Sequence, residues 1–338
     1  MNRTLCLVVA VIGMSLPCLA QSDHAYKYFR LGNTADATTA HPQAGYALMG
    51  GGTDLDEAFQ WLCNRTGDGD FLILRATGDD DYNPYVHKLC PRLNSVATLI
   101  LPNRAAAEDT FVASTIRAAQ AVFIAGGDQA NYINFWMKSP VQDALNDDIA
   151  HGIPLGGTSA GLAVMGEWAY SAQGDKPDDP NLTGKLAMSD PYGPRITLVQ
   201  NFLRIPILTG IVTDTHFAKR DRMGRLLAFL ARTNGKPTGI PPSHAVRGIG
   251  VEEKAAVLVE PDGPARVIGR GGAYFIESPH GTGAEIPHQP LTSQPYTVQK
   301  VTPGHTFNLK TWTGESTTYR LTVNNGQITS TQHGGVIY

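Results

Sequence analysis

Ile153-Pro154-Leu155-Gly156-Gly157-Thr158-Ser159-Ala160-Gly161-Leu162-Ala163-Val164-Met165 is the stretch around which the rest of the chain is organised. A short apolar strand, Ile153 to Leu155, runs into Gly-x-Ser-x-Gly, and a helical stretch from Leu162 follows. A serine at such a turn is presented above the edge of a sheet, and flanking glycines avoid clashes in a strained backbone. The start of the next helix offers free N–H groups to a developing oxyanion. Taken alone, the pattern has an alternative reading, a glycine-rich turn that binds phosphate or packs tightly. In a chain with 36 glycines it can also arise by accident.

Working outward, further apolar strands alternate with helical stretches. Tyr46-Ala47-Leu48-Met49 runs into Gly50-Gly51-Gly52, and Asp54 to Cys63 has helical spacing. Phe71 to Leu74 and Ala97 to Leu101 read as strands, and Ala105 to Gln120 is rich in helix formers. Ala121 to Ala125 is a fourth strand, stopped by Gly126-Gly127. Continuous apolar strands separated by helices imply a parallel sheet covered on both faces. The expectation is a doubly wound, mostly parallel α/β domain over residues 21–260. Ser171 to Arg195 is polar, with Pro and Gly, and reads as a long surface loop. From about Ala256 the texture changes to Thr-rich and alternating segments with tight-turn signals such as Asn324-Asn325-Gly326. Residues 261–338 therefore read as a β-rich appendage.

Residues 1–20 follow a secretory leader pattern: Arg3, the apolar run Leu5 to Leu16, then Cys18-Leu19-Ala20. A membrane anchor would need about 20 apolar residues, more than this run supplies. A lipidated Cys18 is a second alternative, with Pro17 where a small residue is normal. An exported chain places Cys63 and Cys90 where they can form a disulfide, the alternative being two buried thiols. The formal charge is −3 and there is no Lys/Arg run, which argues against a nucleic-acid partner. After residue 20 no segment is long and apolar enough to cross a membrane.

A serine nucleophile needs a base and a group to orient it. The chain has ten histidines. His216 stands out because Ile211-Val212-Thr213-Asp214-Thr215-His216-Phe217 is an apolar strand ending in polar residues. Sites of open α/β sheets collect at the carboxyl ends of strands. Arg220, Arg222 and Arg225 follow, with Arg222 and Arg225 spaced for one helix face. They are either a solvated helix face or guanidinium forks for carboxylates.

Gly156 to Gly161, Asp214 to Phe217 with Arg220, Arg222 and Arg225, and Ala125-Gly126-Gly127-Asp128-Gln129 together resemble the signature blocks of the cyanophycinase family of serine peptidases, family S51. The resemblance covers roughly residues 45 to 260. It implies a flavodoxin-like or class I glutaminase-like fold and a Ser-His-Glu triad of Ser159, His216 and Glu253, with Glu252 in reserve. It further implies oxyanion donors at the N–H groups of Gly127 and Ala160. Gln129, Asp214, Arg220, Arg222 and Arg225 fall on positions linked to substrate binding. Thr215 stands where some members carry Gln, and the leader and β-rich tail are not shared by the intracellular members. The implied reaction is cleavage of α-linked aspartyl bonds in cyanophycin, releasing β-aspartyl-arginine, without a cofactor or metal. The resemblance allows a homodimer.

Three rivals differ in class or specificity. An exported aspartyl dipeptidase of the same family shares every motif. An α/β-hydrolase esterase requires the order Ser, acid, His, and so a base among His280, His288, His305 or His333 in the β-rich tail. A non-catalytic export protein would bind peptide or polymer through that tail. The acidic clusters Asp79-Asp80-Asp81 and Asp175, Asp178, Asp179 read as solvated loops or weak calcium sites.

Overall fold

The computed structural model describes residues 24–176, 178–179, 181–234, 246–279 and 287–338; the leader-like segment 1–20 lies outside them. Five apolar strands form a parallel block in the order Ser95–Ile100, Asp70–Arg75, Ala121–Ile124, Leu155–Thr158, Tyr46–Met49. Nearly every residue in them is buried, because a parallel block is covered on both faces and has no solvent side for alternation. The block is flanked by antiparallel strands. Lys27–Gly32 pairs with Ser95–Ile100 at one edge. At the other edge Ala255–Val259, Pro264–Gly269, Thr306–Asn308 and Thr313–Gly314 extend the sheet to ten strands.

A second sheet of eight strands runs Gln327–Ser330, Thr317–Asn324, Tyr296–Val301, Ala273–Glu277, Arg247–Val251, Ile211–Asp214, Trp168–Tyr170, Leu198–Gln200. Only the pairings of Ile211–Asp214 with Arg247–Val251 and with Trp168–Tyr170 are parallel. The α/β reading holds, but the sheet architecture is mixed where a doubly wound, mostly parallel sheet was expected. The physical reason lies in the later strands. Thr317–Asn324 alternates exposed and buried positions and is joined to Gln327–Ser330 by a tight turn, which forces antiparallel pairing. The segment 261–338 is also continuous with what precedes it. Its strands enter both sheets, and Phe275, Phe307 and Trp312 pack in one core cluster with Tyr46 and Leu48.

Helix boundaries follow local chemistry. The stretch 105–120 is not one helix: Asn103 caps Arg104–Ala107, and Asp109 accepts from Phe111 N to begin Thr110–Arg117 anew. Asp128 likewise caps Gln129–Trp136. Cys63, on the helix Asp56–Arg65, is disulfide-bonded to Cys90, which ends the helix Tyr82–Leu89.

Candidate active site

Ser159 stands between the strand Leu155–Thr158 and the short helix Ala160–Ala163, at φ 52° and ψ −116°. Such a backbone is sparsely populated for a residue with a Cβ, and it survives only where neighbours over-determine it. They do so here. Ser159 N donates to Met49 O at 3.2 Å, and Ala163 N to Ser159 O at 2.9 Å. A Cβ on Gly161 would lie 2.0 Å from Ile124 O, so only glycine lets the helix sit this close to the sheet. Thr158 Oγ1 donates to Asp54 Oδ1 at 2.7 Å, and Tyr82 OH donates to Asp54 Oδ2 at 2.5 Å. Sequence reasoning missed this brace under the serine. Asp54 carries no motif, and its partners are 28 and 104 residues away.

His216 arrives from the second sheet. The strand Ile211–Asp214 ends and the chain turns at His216, whose φ is 47°. The spacing of Arg222 and Arg225 implied one helix face, but the helix begins at Met223, so Arg220 and Arg222 lie in the turn and only Arg225 is on the helix. His216 is buried, and its Nε2 is 2.7 Å from Ser159 Oγ. Its Nδ1 is 2.6 Å from Glu253 Oε1. An Nδ1–H given to the carboxylate leaves the Nε2 lone pair free to accept the serine proton. Burial pushes the imidazole below its ordinary value, against the opposing pull of its hydrogen bond to Glu253; Arg220 and Arg222 add to the lowering. The same hydrogen bond holds the Glu253 carboxyl below its usual range.

Glu252 and Glu253 are separated by their partners. Glu252 accepts from Tyr274 OH at 2.6 Å and Gly272 N at 2.8 Å, away from the histidine. Only Glu253 reaches His216.

The arginines do not form one exposed cluster. Arg225 is buried and bidentate to Asp214, with Nε–Oδ2 at 2.7 Å and Nη2–Oδ1 at 2.5 Å. Arg222 is buried too, and donates to Thr215 O and Thr215 Oγ1 at 3.0 Å. Burial alone would raise the Asp214 carboxyl, but the paired Arg225, with Arg222 and the Thr215 N–H, holds it below its ordinary value. Asp214, Arg222 and Arg225 thus satisfy one another beneath the turn, and Arg220 is the one of the three arginines that is exposed.

Gly127 and Gln129 lie at the carboxyl end of Ala121–Ile124. Tyr132 OH sits 2.9 Å from Ala125 O and 3.1 Å from Gly126 O, fastening that turn from below. Ala160 opens its helix, so its N–H has no partner within the helix. The described residues contain no cluster of acidic, histidine and cysteine side chains suited to a metal. Asp175 and Asp179 are engaged by Arg195 instead.

A strained serine at a strand end, hydrogen-bonded to a histidine that is in turn held by a carboxylate, is an arrangement able to perform nucleophilic acyl transfer. Residues 47–194 match the family model described as "Peptidase family S51". Over those residues the chain is similar to peptidase family S51. That match includes Ser159, Gly127 and Gln129, and ends before His216 and Glu253. Curated proteins also match by sequence. The chain is 28% identical over 220 residues to a protein named cyanophycinase from Trichormus variabilis, covering 63% of this chain. It is 25% identical over 224 residues to one from Synechococcus elongatus, covering 65% of this chain. The matches span 65% and 62% of those relatives, a little under two thirds of their length. Among solved structures, a peptidase from an acI-B1 actinobacterium superposes with TM-score 0.51 at 16% identity, covering 79% of this chain and 98% of that one, a likeness of fold.

Proposed function

We propose that the chain is an exported serine peptidase that cleaves aspartyl peptide bonds, with cyanophycin as its substrate. The observation that carries this reading is the continuous hydrogen-bonded run Ser159 Oγ, His216 Nε2, His216 Nδ1, Glu253 Oε1, with links of 2.7 and 2.6 Å. The relatives named cyanophycinase support the substrate.

In this mechanism Ser159 Oγ attacks the carbonyl carbon of an α-linked aspartyl residue as its proton passes to His216 Nε2. Glu253 stabilises the imidazolium that forms. The N–H groups of Ala160 and Gly127 receive the oxyanion. When the tetrahedral intermediate collapses, the C–N bond breaks and His216 gives its proton to the departing amine. Water, deprotonated by the same histidine, then attacks the acyl ester and frees Ser159. Arg220, exposed at the turn, is the arginine free to meet a substrate carboxylate, and Gln129 opens the helix that follows the strand Ala121–Ile124. Asp214, Arg222 and Arg225 support the turn from beneath. Export is favoured by the leader pattern of residues 1–20 and by the Cys63–Cys90 disulfide, since disulfides persist in oxidising compartments.

The test is turnover of purified cyanophycin by the wild-type protein and by Ser159→Ala. Release of β-aspartyl-arginine by the first and not the second is expected. If cyanophycin is untouched while short aspartyl peptides are cut, the dipeptidase reading replaces the polymer. If a serine-directed fluorophosphonate never labels Ser159, the hydrolase itself is abandoned.

A further inference from the structure

Ser159, His216 and Glu253 come from three separate connections, and none is fixed by a long element of its own. Ser159 leaves the first sheet, and His216 leaves the second. Glu253 lies in the link from Arg247–Val251 in the second sheet to Ala255–Val259 in the first. One short segment touches all three. Met49 O accepts from Ser159 N at 3.2 Å, Gly50 O from His216 N at 2.7 Å, and Gly51 O from Lys254 N, next to Glu253, at 2.9 Å. Three successive carbonyls, that of Met49 at the end of its strand and those of Gly50 and Gly51 in the loop that follows, therefore hold the backbones of the three arms. Gly50 N in turn donates to Ala255 O at 3.0 Å, which anchors the loop to the first sheet.

Side chains are excluded for the same reason. Gly51 has φ +94°, and a Cβ there would lie 2.6 Å from both Cε1 and Nε2 of His216. A Cβ on Gly50 would lie 2.0 Å from Glu252 O, and one on Gly52 would lie 3.2 Å from Glu253 Cβ. The loop also abuts the ring atom that faces Ser159. Backbone and ring are in register only while position 51 carries no side chain.

We propose that Gly50-Gly51-Gly52 is the positioning element of this site, setting the spacing of serine, histidine and carboxylate across the junction of the two sheets. The inference rests on the catalytic reading above, but it concerns residues that the motif blocks do not contain. A Cβ at Gly51 must push the imidazole aside. Displacement by about 1 Å at a reacting centre costs on the order of 100-fold in rate.

The experiment compares acylation of Ser159 by a fluorophosphonate across pH in the wild type and in Gly51→Ala, with thermal melts of both in His216 and His216→Ala backgrounds. Gly51→Ala is expected to slow acylation about 100-fold, with an altered acid limb. Its loss of Tm is expected to shrink in the His216→Ala background, where the clashing ring is gone. If Gly51→Ala alone does not fold, recovery of folding in the double variant carries the same meaning. Unchanged acylation in a folded Gly51→Ala overturns the proposal, as does an equal loss of Tm in both backgrounds or a double variant that stays unfolded. A wild type that is never acylated removes the catalytic reading, and the positioning role with it.

Discussion

Glu252 and Glu253 are adjacent in the chain, yet their environments assign them opposite work. Glu253 holds His216, whereas Glu252 is consumed by Tyr274 OH and Gly272 N. Glu253→Gln should therefore lower kcat by about 10² to 10⁴-fold, since the amide no longer stabilises the imidazolium. Glu252→Gln should keep most activity and lose about 1 kcal/mol of stability in urea unfolding. Side-by-side steady-state assays and melts separate the two. The histidine also sets a pH dependence. It must be neutral to accept the serine proton, so activity rises with pH through its folded value, which burial holds below that of an ordinary imidazole. Arg220 contributes to that lowering from an exposed position. Arg220→Ala removes a cation that disfavours imidazolium, so the acid limb of the acylation profile should move to higher pH. At this scale Ser159 and His216 were legible in the sequence, because strand-end serine and histidine have recognisable neighbours. The acid was placed at Glu253, with Glu252 in reserve, only through the family resemblance, because side-chain direction after a strand depends on the turn that Lys254 makes at φ 59°.

At the scale of elements, the strands of the parallel block were visible as apolar runs, and the break at Asp109 was not. A capping carboxylate in the middle of good helix formers competes with the helix by binding Phe111 N, and composition does not reveal which wins. The arginine spacing misled for a related reason. A three-residue interval implies a shared face only inside a helix, and Arg222 precedes the helix Met223–Asn234. The Cys63–Cys90 bridge joins two helices across a separation of 27 residues. Closing a loop of that length restrains the unfolded chain by roughly 3.5 kcal/mol. Cys63→Ala with Cys90→Ala should lower the urea midpoint accordingly while the Ser159–His216 geometry, and so the acylation rate, stays near wild type.

For the whole molecule, the consequence of mixed sheets is that the late strands are part of the same structure as the early ones. Phe275 and Phe307 stack with ring centroids 3.8 Å apart, and Trp312 meets both edge-on. These rings share a core cluster with Leu48, Leu74 and Ile124 of the parallel block. Trp312→Ala should therefore cost about 3–5 kcal/mol, and calorimetry should show one transition moving down as a unit. An early melt confined to 261–338, leaving the site intact, would mean that the late strands fold independently.

The sequence by itself determined the local chemistry: buried strands from continuous apolar runs, a strained serine between glycines, and a histidine at a strand end. These are properties of a few neighbouring residues, and the physics that sets them acts over a few ångströms along the chain. Only the tertiary structure decided which sheet each strand entered, because strand pairing joins residues far apart in sequence. It alone turned Asp214 and Arg225 into a buried pair and sent Glu252 to Tyr274. It also brought Gly51 against His216, 165 positions later. Each of these depends on how two sheets meet at one loop.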